Sequence, residues 1–177
     1  MDQDNHIEIF PVVDENGNEI STAPRTVCHD GKSMLLHPVV HLHLFNEKGE
    51  LFLQKLAMNK DLLPGKWDTS VGGHLHPGEN AEEALKRETE EELGLKTFSF
   101  RFLKKYIWES PRERELVYSF TGTSDSEPEI DNIEVSDGRF WKIQEIENNL
   151  NSDLFTPNFV HEFNNFIHAQ NSQNSCF

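Results

Sequence analysis

The sequence predicts an α/β/α sandwich, with helices on both faces of a mixed β-sheet. Segments of alternating apolar residues, bounded by turn residues, recur on both sides of residues 73–95. Between them, a glycine-rich turn runs into a strongly charged helical stretch that closes at Gly94. A further helical stretch, Pro157 to Ala169, lies near the end. Strands around a central helix, with another helix after them, bury their apolar faces as helix layers on a shared sheet.

In order, Ile7 to Val13 alternates loosely and meets Asp14-Glu15-Asn16-Gly17-Asn18, a strand ending in a turn. Ala23 to His29 is expected as a short helix with Pro24 in its first turn, where a missing N–H is tolerated. Leu36 to Phe45 is a strand, Asn46-Glu47-Lys48-Gly49 a hairpin turn and Glu50 to Lys55 the return strand. A loop containing Leu63-Pro64-Gly65-Lys66-Trp67 leads to Gly72-Gly73 and the charged helix. Thr97–Trp108, Glu115–Thr121 and Arg139–Ile143 are strands, with an acidic loop from Ser124 to Asp131. Glu145 to Leu150 is a short helix.

A length of 177 residues, 36% hydrophobic with 13 phenylalanines, fits one folded domain, residues 1–170, and a polar tail, 171–177. The net charge of −15 argues against nucleic-acid polymers and anionic membranes as partners. No apolar run approaches the ~20 residues that span a bilayer. The opening Met-Asp-Gln-Asp-Asn-His lacks the basic and apolar regions of a signal peptide. Cys28 and Cys176 do not suggest a disulfide framework. The expectation is a soluble, cytoplasmic protein, with monomer or homodimer left open.

The charged helix carries the chemistry. At ~100° per residue, Glu88, Glu91 and Glu92 fall within roughly a 120° arc shared with Ala81, Ala84 and Leu85. Glu82, Glu83, Lys86 and Glu90 point elsewhere. Acids on an inward face repel one another and lose hydration, at high cost unless a cation sits among them. Oxygen ligands suit Mg²⁺ or Mn²⁺. The bland alternative is a solvated acidic face.

Gly73, Glu79, Arg87, Glu88, Glu91, Glu92 and Gly94 reproduce the spacing of the Nudix box, G-x5-E-x7-R-E-U-x-E-E-x-G-U, where U is bulky and aliphatic. Seven fixed residues coincide by chance on the order of 10⁻⁸ per starting position, which sets the segment apart from an arbitrary acidic run. The chain thus resembles the Nudix superfamily, and the resemblance implies the α/β/α sandwich. One departure is Thr89, at a position usually aliphatic in that pattern, which should weaken helix packing slightly.

A second group lies outside the box. His37, His41 and His43 share one face of the strand 36–45 by period 2, and Glu113 and Glu115 share one face of an extended segment. Taken singly, each histidine also reads as an ordinary hydrogen-bonded one, and the two acids as an exposed charged edge. The chain further resembles the isopentenyl-diphosphate isomerase branch of the superfamily. The resemblance rests on Val27-Cys28-His29 with Leu36-His37, on Phe45 to Gly49, on Pro64 to Trp67 and on Ser70 to His74. It implies a second divalent site, for Zn²⁺ or Mn²⁺, at His29, His37, His74, Glu113 and Glu115. Two departures matter. The isomerases have a catalytic cysteine where this chain has Gly72, and one of two neighbouring basic residues that grip diphosphate becomes Leu56, while Lys55 and Lys60 remain. Those isomerases also carry a degenerate box, whereas here the Arg87-Glu88 and Glu91-Glu92 pairs are complete.

The expected activity is therefore metal-dependent hydrolysis of a diphosphate linked to another moiety. Mg²⁺ ions would bridge Glu88, Glu91, Glu92 and the phosphate oxygens, with the Gly73 carbonyl as a further ligand. They would neutralise transition-state charge and activate a water. Arg87 orients a glutamate such as Glu79, or contacts substrate. The general base is a helix glutamate or Glu115, and Lys55 and Lys60 are candidates for binding phosphate. An isomerase-like enzyme and a non-catalytic diphosphate-binding module are the alternatives.

Overall fold

The computed structural model describes residues 7–58, 63–130 and 135–167. In chain order the elements are β1 (Ile9–Val13), β2 (Glu19–Pro24), α1 (Arg25–Cys28), β3 (Leu36–Phe45), β4 (Leu51–Leu56), β5 (Trp67–Asp68), β6 (Val71–His74), α2 (Ala81–Leu93), β7 (Ser99–Glu109), β8 (Arg114–Thr123), β9 (Val135–Trp141), α3 (Ile143–Asn149) and α4 (Pro157–Glu162). A π-helical turn, Phe163–Ile167, extends α4. Lys60, Asp131 and the tail after Ile167 lie outside the described residues.

β3 is the axis of a seven-stranded mixed sheet. It runs parallel to β8 from Leu36↔Arg114 to Phe45↔Thr123 and antiparallel to β6 from Val39↔His74 to Leu42↔Val71. The expected hairpin of β3 and β4 opens at once. Only Phe45↔Leu51 pairs, because β6 takes that edge of β3 from Leu42 onward, and β4 pairs instead with β5 and β9. β9 starts at Val135, earlier than the sequence suggests, since Val135 pairs with Leu56.

Alternation along β3 sorts its side chains between two layers. Val40, Leu42 and Leu44 join Val71, Phe120, Ala84, Leu85 and Leu93 beneath α2. On the opposite side Leu51, Leu53, Trp67 and Trp141 pack against Ile146 of α3 and Phe159 of α4. The sheet is therefore covered on both faces, which is the predicted sandwich.

The helix expected over residues 23–29 is a correction. Ala23 is buried opposite Phe10 and Pro24 pairs with Ile9, so both end β2, and only one turn, Arg25–Cys28, is helical. Pro24, with ψ 144°, stays extended as its N-cap. β2 escapes a pattern search because Glu19 to Thr22 are all exposed and its strand form comes from pairing with β1.

α2 is well delimited. The Asn80 side chain accepts from the backbone N–H groups of Glu82 and Glu83, and the Glu83 carboxylate accepts from the Asn80 N–H, a capping box contributing ~1 kcal/mol. Gly94, at φ 65°, closes the helix in the left-handed region that favours glycine. Thr89 is buried, and its hydroxyl donates to the Leu85 carbonyl at 2.6 Å, so the atypical residue leaves no unpaired donor.

Candidate active site

Glu88 points at β6, where Gly73 makes room for it. A side-chain carbon on Gly73 would overlap the Glu88 carboxylate, so the two elements approach this closely only because residue 73 is glycine. Arg87 spends its whole guanidinium on the surroundings. Nε and Nη2 grip the two oxygens of Glu79 at 2.9 Å each, and Nη1 donates to Glu88 at 2.7 Å and Glu91 at 3.3 Å. Nη2 also donates to the His74 carbonyl at 2.9 Å. Five N–H donors are thereby used, leaving none over for another ligand. Glu92 accepts from Gln54 Nε2 at 3.1 Å and from the Gly72 N–H at 3.4 Å.

The three box carboxylates do not face inward equally, contrary to the arc read from the sequence. The Glu88 side chain is 14% exposed and that of Glu91 59%. Adjacent helical residues differ by ~100°, so Glu91 falls at the outer edge of the arc while Glu92 stays over Gly72. Burial, helped by Glu91 and Glu79 and opposed by Arg87, pushes the Glu88 carboxyl up to about 7. Its charge is costly in the protein alone, the environment that a bound cation relieves. The donor set, all oxygen, fits Mg²⁺ or Mn²⁺.

His29, His37 and His74 converge on the other side of β6. Their ring centroids lie 5.2–5.4 Å apart, and one nitrogen from each falls within 4.8 Å of the others. His37, Glu113 and Glu115 meet the same limit. α1 delivers His29 just past its end, β3 delivers His37, β6 delivers His74, and the β3–β8 register sets Glu115 beside His37. His37 Nδ1 donates to the Leu35 carbonyl at 2.9 Å, which fixes the tautomer and leaves the Nε2 lone pair free. The Nε2 atoms of His37 and His74 are buried with no hydrogen-bond partner. His29 Nε2 lies 3.1 Å from Glu113.

Burial holds His29 at about 4 and keeps His37 and His74 low as well, so all three imidazoles are neutral. Burial also raises both acids, and the neighbouring Glu113 helps push Glu115 to about 8. Neutral imidazoles with orphaned lone pairs beside carboxylates fit a divalent transition metal, with Zn²⁺ or Mn²⁺ favoured over Mg²⁺ by the mixed donors. Phe10, absent from the sequence reading, lies flat on His74 with centroids 4.0 Å apart and lines the cluster. Nothing in the loosely alternating segment 7–13 marks it out.

The other two histidines of β3 do not join this cluster. His41 Nδ1 and His43 Nε2 each lie 3.0 Å from one oxygen of Glu162, a fully buried acid on α4. Burial alone would depress His41, but Glu162, with Asp68 and Glu115, holds it up at about 9. Glu162 is a residue that sequence reasoning missed, although a lone acid between Phe159 and Phe163 was a visible signal. Of the basic candidates, Lys55 follows Gln54 in β4, so alternation sends it away from the face on which Gln54 reaches Glu92. Lys60 lies outside the described residues.

The Nudix domain model matches residues 35–163, so this chain belongs to the Nudix family. An isopentenyl-diphosphate Δ-isomerase of Streptomyces griseus is 33% identical over 144 residues, 78% of this chain and 73% of that protein. An uncharacterized Nudix hydrolase of Listeria monocytogenes is 33% identical over 134 residues, 70% of this chain and 74% of that one. The crystal structure of DR0079 from Deinococcus radiodurans superimposes with a TM-score of 0.73 at 24% identity, covering 87% of this chain and 96% of that one, a likeness of fold. The chain lies in the isomerase-like branch of the superfamily without that branch's cysteine. Among the described residues, no helix is long and apolar enough to cross a membrane.

Metal binding can be read without any substrate. Moving from EDTA to a divalent ion at ~100 times its dissociation constant is expected to raise Tm by roughly 5–10 °C, since the carboxylates gather only in the folded chain. Differential scanning fluorimetry with Mg²⁺, Mn²⁺ and Zn²⁺ measures this. Superimposed melting curves in EDTA and millimolar metal would rule out the cradle.

Proposed function

We propose that this protein is a divalent-metal-dependent Nudix hydrolase that cleaves a diphosphate linked to another moiety, by attack of water on phosphorus. The observation that carries this reading is the Glu88 carboxylate seated at Gly73, with Glu91 and Glu92 beside it and no thiol at Gly72. Glu88, Glu91, Glu92 and the Gly73 carbonyl would hold Mg²⁺ or Mn²⁺, and His29, His37, His74, Glu113 and Glu115 a second divalent ion. Bound there, the cations supply charge neutralisation at the phosphates and an activated water. Arg87 braces Glu79, Glu88 and Glu91 in one fixed array rather than contacting substrate. The proton of the attacking water passes to a carboxylate among Glu88, Glu91, Glu92 and Glu115.

A second reading has a specific observation behind it, since the histidine–glutamate cluster brings together groups that could hold a metal ion and relatives carry the isomerase name. Against it, allylic isomerisation needs an acid–base partner at the alkene carbon, and glycine offers none. A panel of nucleotide and isoprenoid diphosphates, with and without Mg²⁺, separates the readings. Phosphate or pyrophosphate release is expected only with metal. Formation of dimethylallyl diphosphate by the unaltered protein would reverse the ranking, and binding without turnover would make it a non-catalytic module. A side-chain carbon at Gly72 meets its neighbours at 3.7 Å or more, so Gly72→Cys is expected to fold normally and is the variant in which isomerisation should be sought.

A further inference from the structure

His41 reaches Gly72 from the sheet face opposite α2, the face it shares with His37 and Glu115. In the β3–β6 register it stands opposite Gly72, one step from Val40↔Gly73. A side-chain carbon at Gly72 would lie 3.7 Å from its Cδ2 and 3.9 Å from its Nε2. With glycine there, that ring edge borders the exposed Gly72 backbone, whose N–H reaches Glu92. The His41 side chain keeps 11% of its surface accessible, whereas Glu162 behind it keeps none.

The ring is held from its far side. A carboxylate only accepts, so His41 Nδ1 donates to Glu162 at 3.0 Å. The same carboxylate oxygen lies 3.0 Å from His43 Nε2, and His43 Nδ1 lies 3.2 Å from the Thr69 hydroxyl. That hydroxyl donates to the Leu42 carbonyl at 2.6 Å. The chain Thr69–His43–Glu162 is buried throughout and fixes which edge of His41 meets Gly72. A buried carboxylate shared by two imidazoles is a costly way to pin a helix to a sheet, because each charge forgoes its hydration. The arrangement has a use if the free nitrogen of His41 meets an anion. A ring with a carboxylate at one nitrogen and a phosphate oxygen at the other donates at both.

We propose that His41 is a substrate-contacting residue, its Nε2–H donating a hydrogen bond to a phosphate oxygen of the diphosphate where it passes Gly72 on the sheet face opposite α2. Glu162, with His43 behind it, is the positioning residue that aims the ring. Gly72 belongs to the same device, since any side chain there would cover the donating edge. The proposal rests on the diphosphate-hydrolase reading, and its test separates the two.

Full-length protein is compared with His41→Asn, His41→Gln, Glu162→Gln and the His41→Asn/Glu162→Gln double variant. Two measurements are made: turnover of the best substrate of the diphosphate panel, and binding of imidodiphosphate with Mg²⁺ by calorimetry. Circular dichroism and the Mg²⁺-induced rise in Tm report folding and the metal cradle, and both are expected to survive in His41→Asn. Losing a charged hydrogen bond should weaken imidodiphosphate binding and lower kcat/KM by roughly 10- to 100-fold. His41→Gln, whose amide can reach toward the Nε2 position, should recover part of the loss. Glu162→Gln should cost less, and adding it to His41→Asn should cost little more, the non-additivity of two residues acting through one contact. A merely structural Glu162 would instead add its full effect. Unchanged imidodiphosphate affinity in a folded His41→Asn overturns the contact, whatever the activity. Absence of metal-dependent hydrolysis by the wild type, with binding still sensitive to His41, would overturn the hydrolase reading and leave the contact standing.

Discussion

Glu88→Gln is expected to lower turnover by roughly 10²–10³-fold, the usual cost of removing one preorganised charge-stabilising group from an active site. Glu88 is the box carboxylate set deepest, facing Gly73 and anchored by Arg87 at 2.7 Å. A neutral amide of the same size fills the space but holds Mg²⁺ poorly. The fold should be preserved, because Arg87 keeps both bonds to Glu79 and its bond to the His74 carbonyl. In EDTA the variant should melt at or above the wild-type temperature, since a carboxyl that burial already pushes up to about 7 is replaced by a neutral group. Its rise in Tm on adding Mg²⁺ should shrink. Glu92→Gln and the more exposed Glu91→Gln are expected to follow with losses of the same kind. Near-wild-type kcat in all three at saturating Mg²⁺ would show that the box is not the catalytic cradle.

Gly73→Ala is expected to cost as much activity by a purely steric route. The added methyl would overlap three atoms of the Glu88 side chain, so either the carboxylate swings away or β6 retreats from α2. Overpacking of this kind costs ~1–3 kcal/mol of stability, and the displaced carboxylate takes the cation site with it. Gly72→Ala is the internal control, since its methyl meets ordinary van der Waals neighbours at 3.7 Å. It should keep both its stability and its metal-induced rise in Tm. Equal turnover by Gly73→Ala and the wild type would mean that Glu88 does not act from its seat at Gly73.

The box was legible because its geometry is local. Residues three and four apart on a helix meet by construction, and Asn80 and Gly94 mark its ends in ways that one-dimensional spacing records. Even there the sequence placed Glu91 too far inward, because a helical arc does not say where the covering layer stops. Although only the structure shows that the other face lies beneath α2, the β3 alternation was equally readable, with His37, His41 and His43 on one face. β2, β5 and β6 were not, being exposed, very short or glycine-rich, so that their strand form comes from partners rather than from their own pattern. The turn at Asn46–Gly49 between β3 and β4 was readable, but not that the two strands part beyond Phe45↔Leu51, as β6 outcompetes β4 for the edge of β3.

The sequence by itself determined the layered fold, the family and the helix with its acids, because each depends on contacts within a few residues or on a strict linear spacing. His29, His37, His74 and Glu115 could be named from a resemblance, but only the tertiary structure brings them together across α1, β3, β6 and β8. The structure alone decided that Phe10 lies on His74, that Arg87 has no donor to spare and that Glu162 claims His41 and His43. These are through-space pairings between residues far apart in the chain, set by strand register and helix docking, and no local periodicity encodes them.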